Sequence, residues 1–275
     1  MKILILIFFC FSQIAISRIE GESLFVRKKE DFYIPKTKLR YNGIPPGTVK
    51  LNDSIYIDAK PVTNIMYLEF LFSVKYFWTL EAHDILKTLP DFGINDALLH
   101  IEFKPLTTDE DLLNSLVPND TLTVNNTYRI TSYLQHPQYS LYPVLGLSKK
   151  QAEFYCKWRT DIVNLIAAYN SGDLKERKKI LPHINYRLPS KEELRRSLER
   201  FNYTKKKNTN DTLVPITPFK KKFSVKHKKI YFNEFNISEF ISNDEDNFGT
   251  NWRKITTNEE SNDYTGFRCA CEIQK

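Results

Sequence analysis

Apolar residues alternate with other residues where the chain first becomes regular. Val49 and Leu51, and then Ile55 and Ile57, lie two positions apart, a period typical of half-buried strands. Glycine and proline residues within 43–47 favour turns just before them. This segment therefore predicts two short antiparallel strands.

A helical period replaces this alternation after Thr63. Apolar residues recur on one helical face: Ile65, Leu68, Leu71 and Phe72. Spacings of three and four residues predict a helix over 64–78, with Thr63 or Asn64 as its cap. The other side of this helix is also apolar, so we expect it to be well buried.

The clearest helical pattern covers residues 149–170. Ser148 and Gln151 have capping-box spacing at its start. Apolar residues then recur at intervals of three and four: Ala152, Tyr155, Ile162, Val163 and Ile166. Cys156 falls on the side that these residues share, so we expect its thiol to be buried.

Less regular segments surround these helices. Ser190 and Glu193 have capping-box spacing and predict a further short helix. Residues 79–134 contain short apolar runs and prolines, which predict an insertion of loops with a few short strands. Residues 205–229 form a lysine-rich insertion, and residues 265–273 predict one closing strand.

The N-terminus has the features of a secretory signal peptide. Lys2 precedes an unbroken apolar run over 3–11, and small residues precede the expected cleavage site after Ser17. We therefore expect residues 1–17 to be removed, an extended leader over 18–42, and a single domain over 43–275.

Two other interpretations of this N-terminal segment fit less well. A membrane anchor needs about 20 apolar residues, and this run stops at Phe11. Lipid attachment at Cys10 normally requires a small residue before the cysteine, where Phe8 and Phe9 stand. We therefore expect an exported protein with no lipid at Cys10 and no later membrane span, in the periplasm, on the outer membrane surface or secreted.

The net charge of the chain says little about which class of partner it binds. The formal net charge of +7 is small for 275 residues, so it does not favour a nucleic-acid partner. The lysines of the 205–229 insertion, including Lys220–Lys222, are of the kind that binds acidic glycans. Because aromatic residues are sparse there, a solvated insertion is the simpler interpretation.

Four cysteines are present, and three remain after signal cleavage: Cys156, Cys269 and Cys271. Three are too few for a disulfide scaffold, and an odd number leaves one sulfur over. An oxidising compartment favours one bridge. The residues alone leave its partners open.

Several segments resemble, in order, the motifs of one family. "YPVLGLSKKQAEFYCKWR" is similar to "hPVvgvSweqAqaYCkWr", and "YRLPSKEEL" is similar to "yRLPTEAEWE". "FNISEF" resembles "GNVWEW", "FGTNW" resembles "GGSW", and "GFRC" is the closing signature. From Gly43 to Cys271 the chain thus resembles the sulfatase-modifying-factor, or formylglycine-generating-enzyme-like, domain. Residues 60–64 depart from the expected "EVTN", because the acid is lost.

The resemblance implies an α+β domain with the C-type-lectin-like fold, poor in regular structure, with short antiparallel strands and two or three helices. Details such as "CKWRTDIVN" are most similar to secreted or lipid-anchored Bacteroidetes members, including lipoproteins of gliding-motility and secretion apparatuses.

For the cysteines, the resemblance implies a bridge between Cys156 and Cys269. This bridge would close a loop of more than a hundred residues, for which chain-entropy arguments give about 4–5 kcal/mol of stabilisation. Cys271 shares a strand face with Cys269 and is left without a partner. It is then an inert thiol near a frayed end, or a zinc or copper ligand, for which Cys-x-Cys without a nearby histidine is a weak signal.

Catalytic members of this family oxidise a substrate cysteine with copper held by two cysteines just after "GGSW". The corresponding stretch here, 248–267, contains no cysteine, and Cu(I) requires soft ligands. Other branches hold iron with three histidines, but the five histidines here are scattered: His83, His100, His136, His183 and His227. We therefore expect no catalytic residues and no redox cofactor.

A structural calcium ion is the cofactor that the resemblance leaves open. The "GNVWEW" segment of the family contributes backbone oxygens and a glutamate, which are hard ligands that calcium prefers. The chain keeps Asn236 and Glu239 in "FNISEF", while Phe235 replaces the glycine. Glu239 and Asn236 are therefore the candidate calcium ligands, and an exposed carboxylate on a strand is the alternative.

These observations favour a non-catalytic exported or cell-envelope protein that uses the scaffold to bind protein partners, as an accessory of a surface motility or secretion apparatus. One alternative is an enzyme of the same superfamily with its chemistry moved to Cys271 or to another metal. The other is a basic module that binds acidic glycans through Lys220–Lys222.

Overall fold

The computed structural model describes the chain in nine segments: 44–77, 114–119, 122–125, 128–170, 184–203, 229–232, 236–242, 247–249 and 264–273. The predicted signal peptide, the leader, Cys10 and Lys220–Lys222 lie outside these residues. So do most of the two predicted insertions.

Three α-helices form where the sequence predicts them: α1 at Asn64–Phe77, α2 at Lys149–Asn170 and α3 at Lys191–Arg200. Helix α2 begins with the predicted capping box, since Gln151 N donates to Ser148 Oγ and Ser148 N donates to Gln151 Oε1. Ser190 and Glu193 form the same box before α3. Thr63 occupies the predicted cap position of α1, and its carbonyl accepts the hydrogen bond from Tyr67 N. Its hydroxyl has no hydrogen-bond partner among the described residues, and the Asn64 amide donates to Tyr133 O and Tyr139 O, so neither side chain caps the helix.

A four-stranded antiparallel sheet has the order β1-β2-β10-β5. Its strands are β1 Thr48–Lys50, β2 Ile55–Asp58, β5 Ile184–Arg187 and β10 Ala270–Ile273. The predicted β1–β2 pair is confirmed. Three short pairs lie around this sheet: β3 Leu122–Asn125 with β4 Tyr128–Ile130, β6 Asn202–Tyr203 with β7 Lys229–Ile230, and β8 Ser238–Glu239 with β9 Thr265–Gly266.

Both faces of the sheet are covered. Tyr56, Cys271 and Tyr186 are aligned across three strands and belong to the main core with α1 and α2. Ile57, at the next position of β2, belongs to a second core with Leu194 of α3. Successive strand residues point to opposite faces, so the sheet separates the two cores.

Aromatic rings join the two long helices. Tyr67 stacks on Tyr155 at 5.9 Å, and Phe70 packs edge-on against the same ring at 5.5 Å. Trp158 lies 5.4 Å from Phe70 and donates its indole N–H to Ser73 Oγ at 2.8 Å. Because the buried indole N–H of Trp158 has this partner, it avoids the cost of an unsatisfied donor.

The prediction of one closing strand over 265–273 is wrong. Thr265–Gly266 pairs in parallel with β8, whereas Ala270–Ile273 lies inside the main sheet. Between them, the Asp58 side chain takes the backbone N–H of Cys269. A carboxylate thus replaces one ladder hydrogen bond, and the strand divides there.

Two described residues of the predicted 79–134 insertion belong to the main core. Leu116 and Leu134 are buried there, and Asn119 N donates to Gly146 O at 2.7 Å. Gly146 has φ of +73°, and a Cβ there would lie 2.3 Å from Asn119 O. Only glycine permits both this backbone conformation and this close approach.

Candidate functional site

The structure brings the thiols of Cys156 and Cys269 together in the interior. Cys156 lies on the buried face of α2, as predicted, and Cys269 directly precedes β10. Their Sγ atoms are 3.4 Å apart, and both thiols are free. A disulfide requires about 2.05 Å, so a small movement of the two side chains would close the bridge. The bridge itself stays a prediction.

Asp58 connects this thiol pair to α2. Its carboxylate accepts from Arg159 Nη1 at 2.6 Å and Nη2 at 2.9 Å. Its Oδ2 also accepts from Cys269 N at 2.9 Å. The Arg159 guanidinium lies over the Tyr186 ring, 4.1 Å from its centroid, which is a favourable position for a cation. Arg159 and Asp58 are each at most 1% exposed, so either charge alone would be strongly destabilising.

Arg268 makes a second buried ion pair. Its Nε and Nη2 each donate to one carboxylate oxygen of Glu239 at 2.6 Å. Nη2 also donates to Tyr231 O at 2.9 Å. Arg268 and Glu239 are at most 1% exposed, so the alternative of an exposed carboxylate on a strand is wrong.

Glu239 as placed does not fit a calcium site. Calcium needs carboxylate oxygens that are free to coordinate it, and both oxygens of Glu239 accept from the Arg268 guanidinium. A divalent cation on the same carboxylate would also face that buried positive charge. Asn236, three positions before Glu239, is also buried. Calcium binding by Asn236 and Glu239 stays a prediction, but this ion pair speaks against it.

Cys271 lies in the middle of the sheet. It pairs with Tyr56 of β2 on one side and with Tyr186 of β5 on the other, and it is fully buried. Burial raises the pKa of the Cys271 thiol far above its ordinary value, and the nearby Arg159 lowers it only partly. The expectation that Cys271 lies near a frayed end is therefore wrong, because Cys271 belongs to a buried strand that is paired on both sides.

The described residues contain no group of three or more His, Cys, Asp and Glu side chains that could hold a metal ion. His136 is exposed, and its Nδ1 accepts from Gln138 N at the start of a 3-10 turn over Pro137–Tyr139. The other four histidines, and residues 250–263 of the stretch without cysteine, lie outside the described part of the chain.

Sequence reasoning missed the two buried ion pairs. Arg159 follows Cys156 by three residues and therefore shares its buried helix face, which could have identified it as a paired interior charge. Arg268 precedes a buried cysteine in the closing segment. The partners could not be identified in this way, because Asp58 and Glu239 are far from them in sequence and resemble ordinary strand-end acids.

Among the described residues, none of the helices combines the length and the apolar character that a membrane crossing requires.

The sequence profile of one protein family, described as the sulfatase-modifying factor enzyme 1-like domain, matches residues 18–212. The match includes the predicted leader and ends before the "GFRC" segment. No curated protein and no solved structure matched the chain. The matched family has the C-type-lectin-like fold, and the α+β architecture with short antiparallel strands confirms the predicted fold class.

Proposed function

Because the chain belongs to the sulfatase-modifying factor enzyme 1-like family, we propose that it is a non-catalytic member that uses this scaffold to bind another protein. Its cysteines then stabilise the fold and perform no oxidation. The proposal concerns this chain alone, since family membership by itself does not assign a function.

The burial of the thiols is the observation that carries this proposal. All three cysteines after Cys10 are buried, with at most 2% of each residue exposed. A thiolate that binds copper or attacks a substrate must be accessible and easily deprotonated. Burial, and then the neighbouring Cys269 thiol, raise the pKa of Cys156 well above its usual value. The stretch that holds the copper ligands in catalytic members contributes no cysteine.

The predicted secretory signal supports the proposed place of action. The apolar N-terminal run ends in small residues, as secretory signals do. An exported scaffold without its own chemistry suits an accessory role in a cell-surface motility or secretion apparatus. The partner would then be a protein of the cell envelope.

A turnover assay tests the proposal. The mature chain is incubated with Cu(I) and a cysteine-containing sulfatase peptide, and aldehyde formation is followed by mass spectrometry. We expect no aldehyde above a copper-only control. Aldehyde formation that a Cys271→Ser variant abolishes would instead establish the relocated enzyme.

A further inference from the structure

One segment of the chain is conspicuously uncharged. Charged residues make up 27% of the sequence, yet residues 131–148 contain no Asp, Glu, Lys or Arg. Several side chains of this segment reach the surface: Gln135, His136 and Gln138 are exposed, and Tyr139 and Tyr142 are half-buried. An absence of charge together with tyrosines is the composition of the core of a protein interface.

Three half-buried tyrosines define a surface that we call the tyrosine face: Tyr139, Tyr142 and Tyr264. They pack on a small buried cluster of Tyr133, Leu145 and Ile237. Tyr139 and Tyr142 meet edge to face at 5.2 Å with an interplanar angle of 84°. Two rings at nearly a right angle form a corner, and a compact apolar side chain can contact both of them.

Hydrogen bonds from buried groups hold the backbone beneath the tyrosine face. Asn64 Nδ2 donates to the carbonyl oxygens of Tyr133 and Tyr139 at 3.1 and 2.9 Å. Asn64 N donates to Tyr142 O at 2.9 Å, and Tyr133 Oη donates to Pro143 O at 2.6 Å. Preorganised backbone lowers the entropy that binding would cost. The structure therefore fixes the backbone that carries Tyr139 and Tyr142 before any partner arrives.

The hydroxyls of Tyr139 and Tyr142 have no hydrogen-bond partner within the part of the chain that the structure describes. Burial, and then the neighbouring Tyr139, raise the pKa of the Tyr142 hydroxyl, so it stays a neutral donor and acceptor. A tyrosine ring with an available hydroxyl suits a ligand that offers both apolar groups and peptide hydrogen bonds.

We propose that the tyrosine face binds an uncharged, extended segment of a partner protein, with a proline or another compact apolar residue in the corner between Tyr139 and Tyr142. This inference rests on the proposed protein-binding function and names its surface. Aromatic-lined grooves recognise such segments through ring contacts and a few hydrogen bonds. Residues 131–148 contain no Asp, Glu, Lys or Arg, so none of their side chains would attract a charged ligand or lose the hydration of a charge when a partner binds.

Peptide arrays test this inference with the mature full chain. One array carries uncharged twelve-residue peptides with central Pro, Leu or Val, and a matched array carries the same peptides with two serines replaced by Asp or Lys. We expect selective binding to the uncharged array that changes little between low and high salt. Tyr139→Ala and Tyr142→Ala should each weaken it at least about tenfold, as interface tyrosines do.

Two further variants separate binding from folding. Tyr139→Phe keeps the ring and should retain most of the binding, and Arg195→Ala on the exposed side of α3 should change nothing.

The inference fails if no uncharged peptide binds, or if the alanine variants bind normally. Binding to neutral glycans on a glycan array through the same tyrosines would also overturn it, as would salt-sensitive peptide binding that is lost when Lys220–Lys222 are neutralised. These outcomes leave the turnover assay unaffected, so failure of the tyrosine face and failure of the proposed function are distinguishable.

Discussion

The sulfur of Cys156 lies 3.4 Å from the sulfur of Cys269, although the two residues are 113 positions apart in the chain. Helix α2 and the segment before β10 are thereby poised for a covalent link. In an oxidising compartment we expect this pair to form the disulfide, and Cys271 to stay reduced. Peptide mapping under non-reducing conditions should recover the 156–269 peptide pair. Both cysteines unlinked in protein isolated from an oxidising compartment would contradict this prediction.

The same bridge should contribute measurably to stability. Under oxidising conditions Cys156→Ala should lower the free energy of unfolding by about 4 kcal/mol through loss of loop closure. Cys271→Ala is the matched control, because it also truncates a buried thiol but leaves the bridge intact. Urea unfolding measures both. Equal losses in the two variants would indicate that the pair acts only through packing.

Cys271 should be unreactive in the folded protein. Burial raises the pKa of its thiol far above the ordinary value, so almost no thiolate exists at pH 8. Iodoacetamide should leave Cys271 unmodified in the native chain and modify it after unfolding in urea. Rapid labelling of Cys271 in the native protein would instead support the alternative of an enzyme with its active site at this residue.

Helix α3 should lose stability in acid through Glu193. Burial raises the pKa of Glu193, but hydrogen bonds from Arg187 and from the Ser190 backbone outweigh it, and the net pKa is lowered. A folded pKa below the unfolded one gives stability that is fully present above the unfolded pKa and is lost as pH falls through the folded pKa. Urea unfolding between about pH 6 and pH 3 should show this decline.

Two variants isolate this contribution. Glu193→Gln should flatten the acid dependence, whereas Glu199→Gln, at an exposed position of the same helix, should leave it unchanged. Ser190→Ala removes the capping hydroxyl and should cost about 1 kcal/mol at pH 7. An unaltered acid profile in Glu193→Gln would show that the decline arises elsewhere.

The Glu239–Arg268 pair should stabilise the fold without calcium. Glu239→Gln leaves the buried Arg268 charge uncompensated, which should cost about 3–5 kcal/mol. Because Arg268 takes both carboxylate oxygens, millimolar calcium or a chelator should leave the Tm of the natural chain unchanged. A calcium-dependent rise in Tm that Glu239→Gln abolishes would instead support the calcium site predicted from the sequence.

Local signals in the sequence predicted the helices well. The capping boxes at Ser148 and Ser190 act within three residues, so they can be recognised without the fold. The closing segment was harder, because its division depends on Asp58, more than two hundred residues earlier. Its two strands join different sheets, and period alone cannot distinguish them from one strand.

The candidate site was predictable only in part. The family resemblance identified Cys156 and Cys269 as neighbours, and the structure places their sulfurs in contact. The resemblance did not indicate that Arg268 would engage Glu239. A buried charge can be recognised only through its partner, and these two residues are 29 positions apart, too far to form a local sequence pattern.

Copper affinity tests the central claim most directly, because a non-catalytic member should have no accessible thiolate pair. Cu(I) is titrated into the folded protein against a competing chelator of known affinity. The account predicts that the chelator keeps all of the copper, and that the protein competes only after reduction and unfolding expose its thiols. One equivalent of tightly held copper in the native chain, lost in Cys271→Ser, would contradict it.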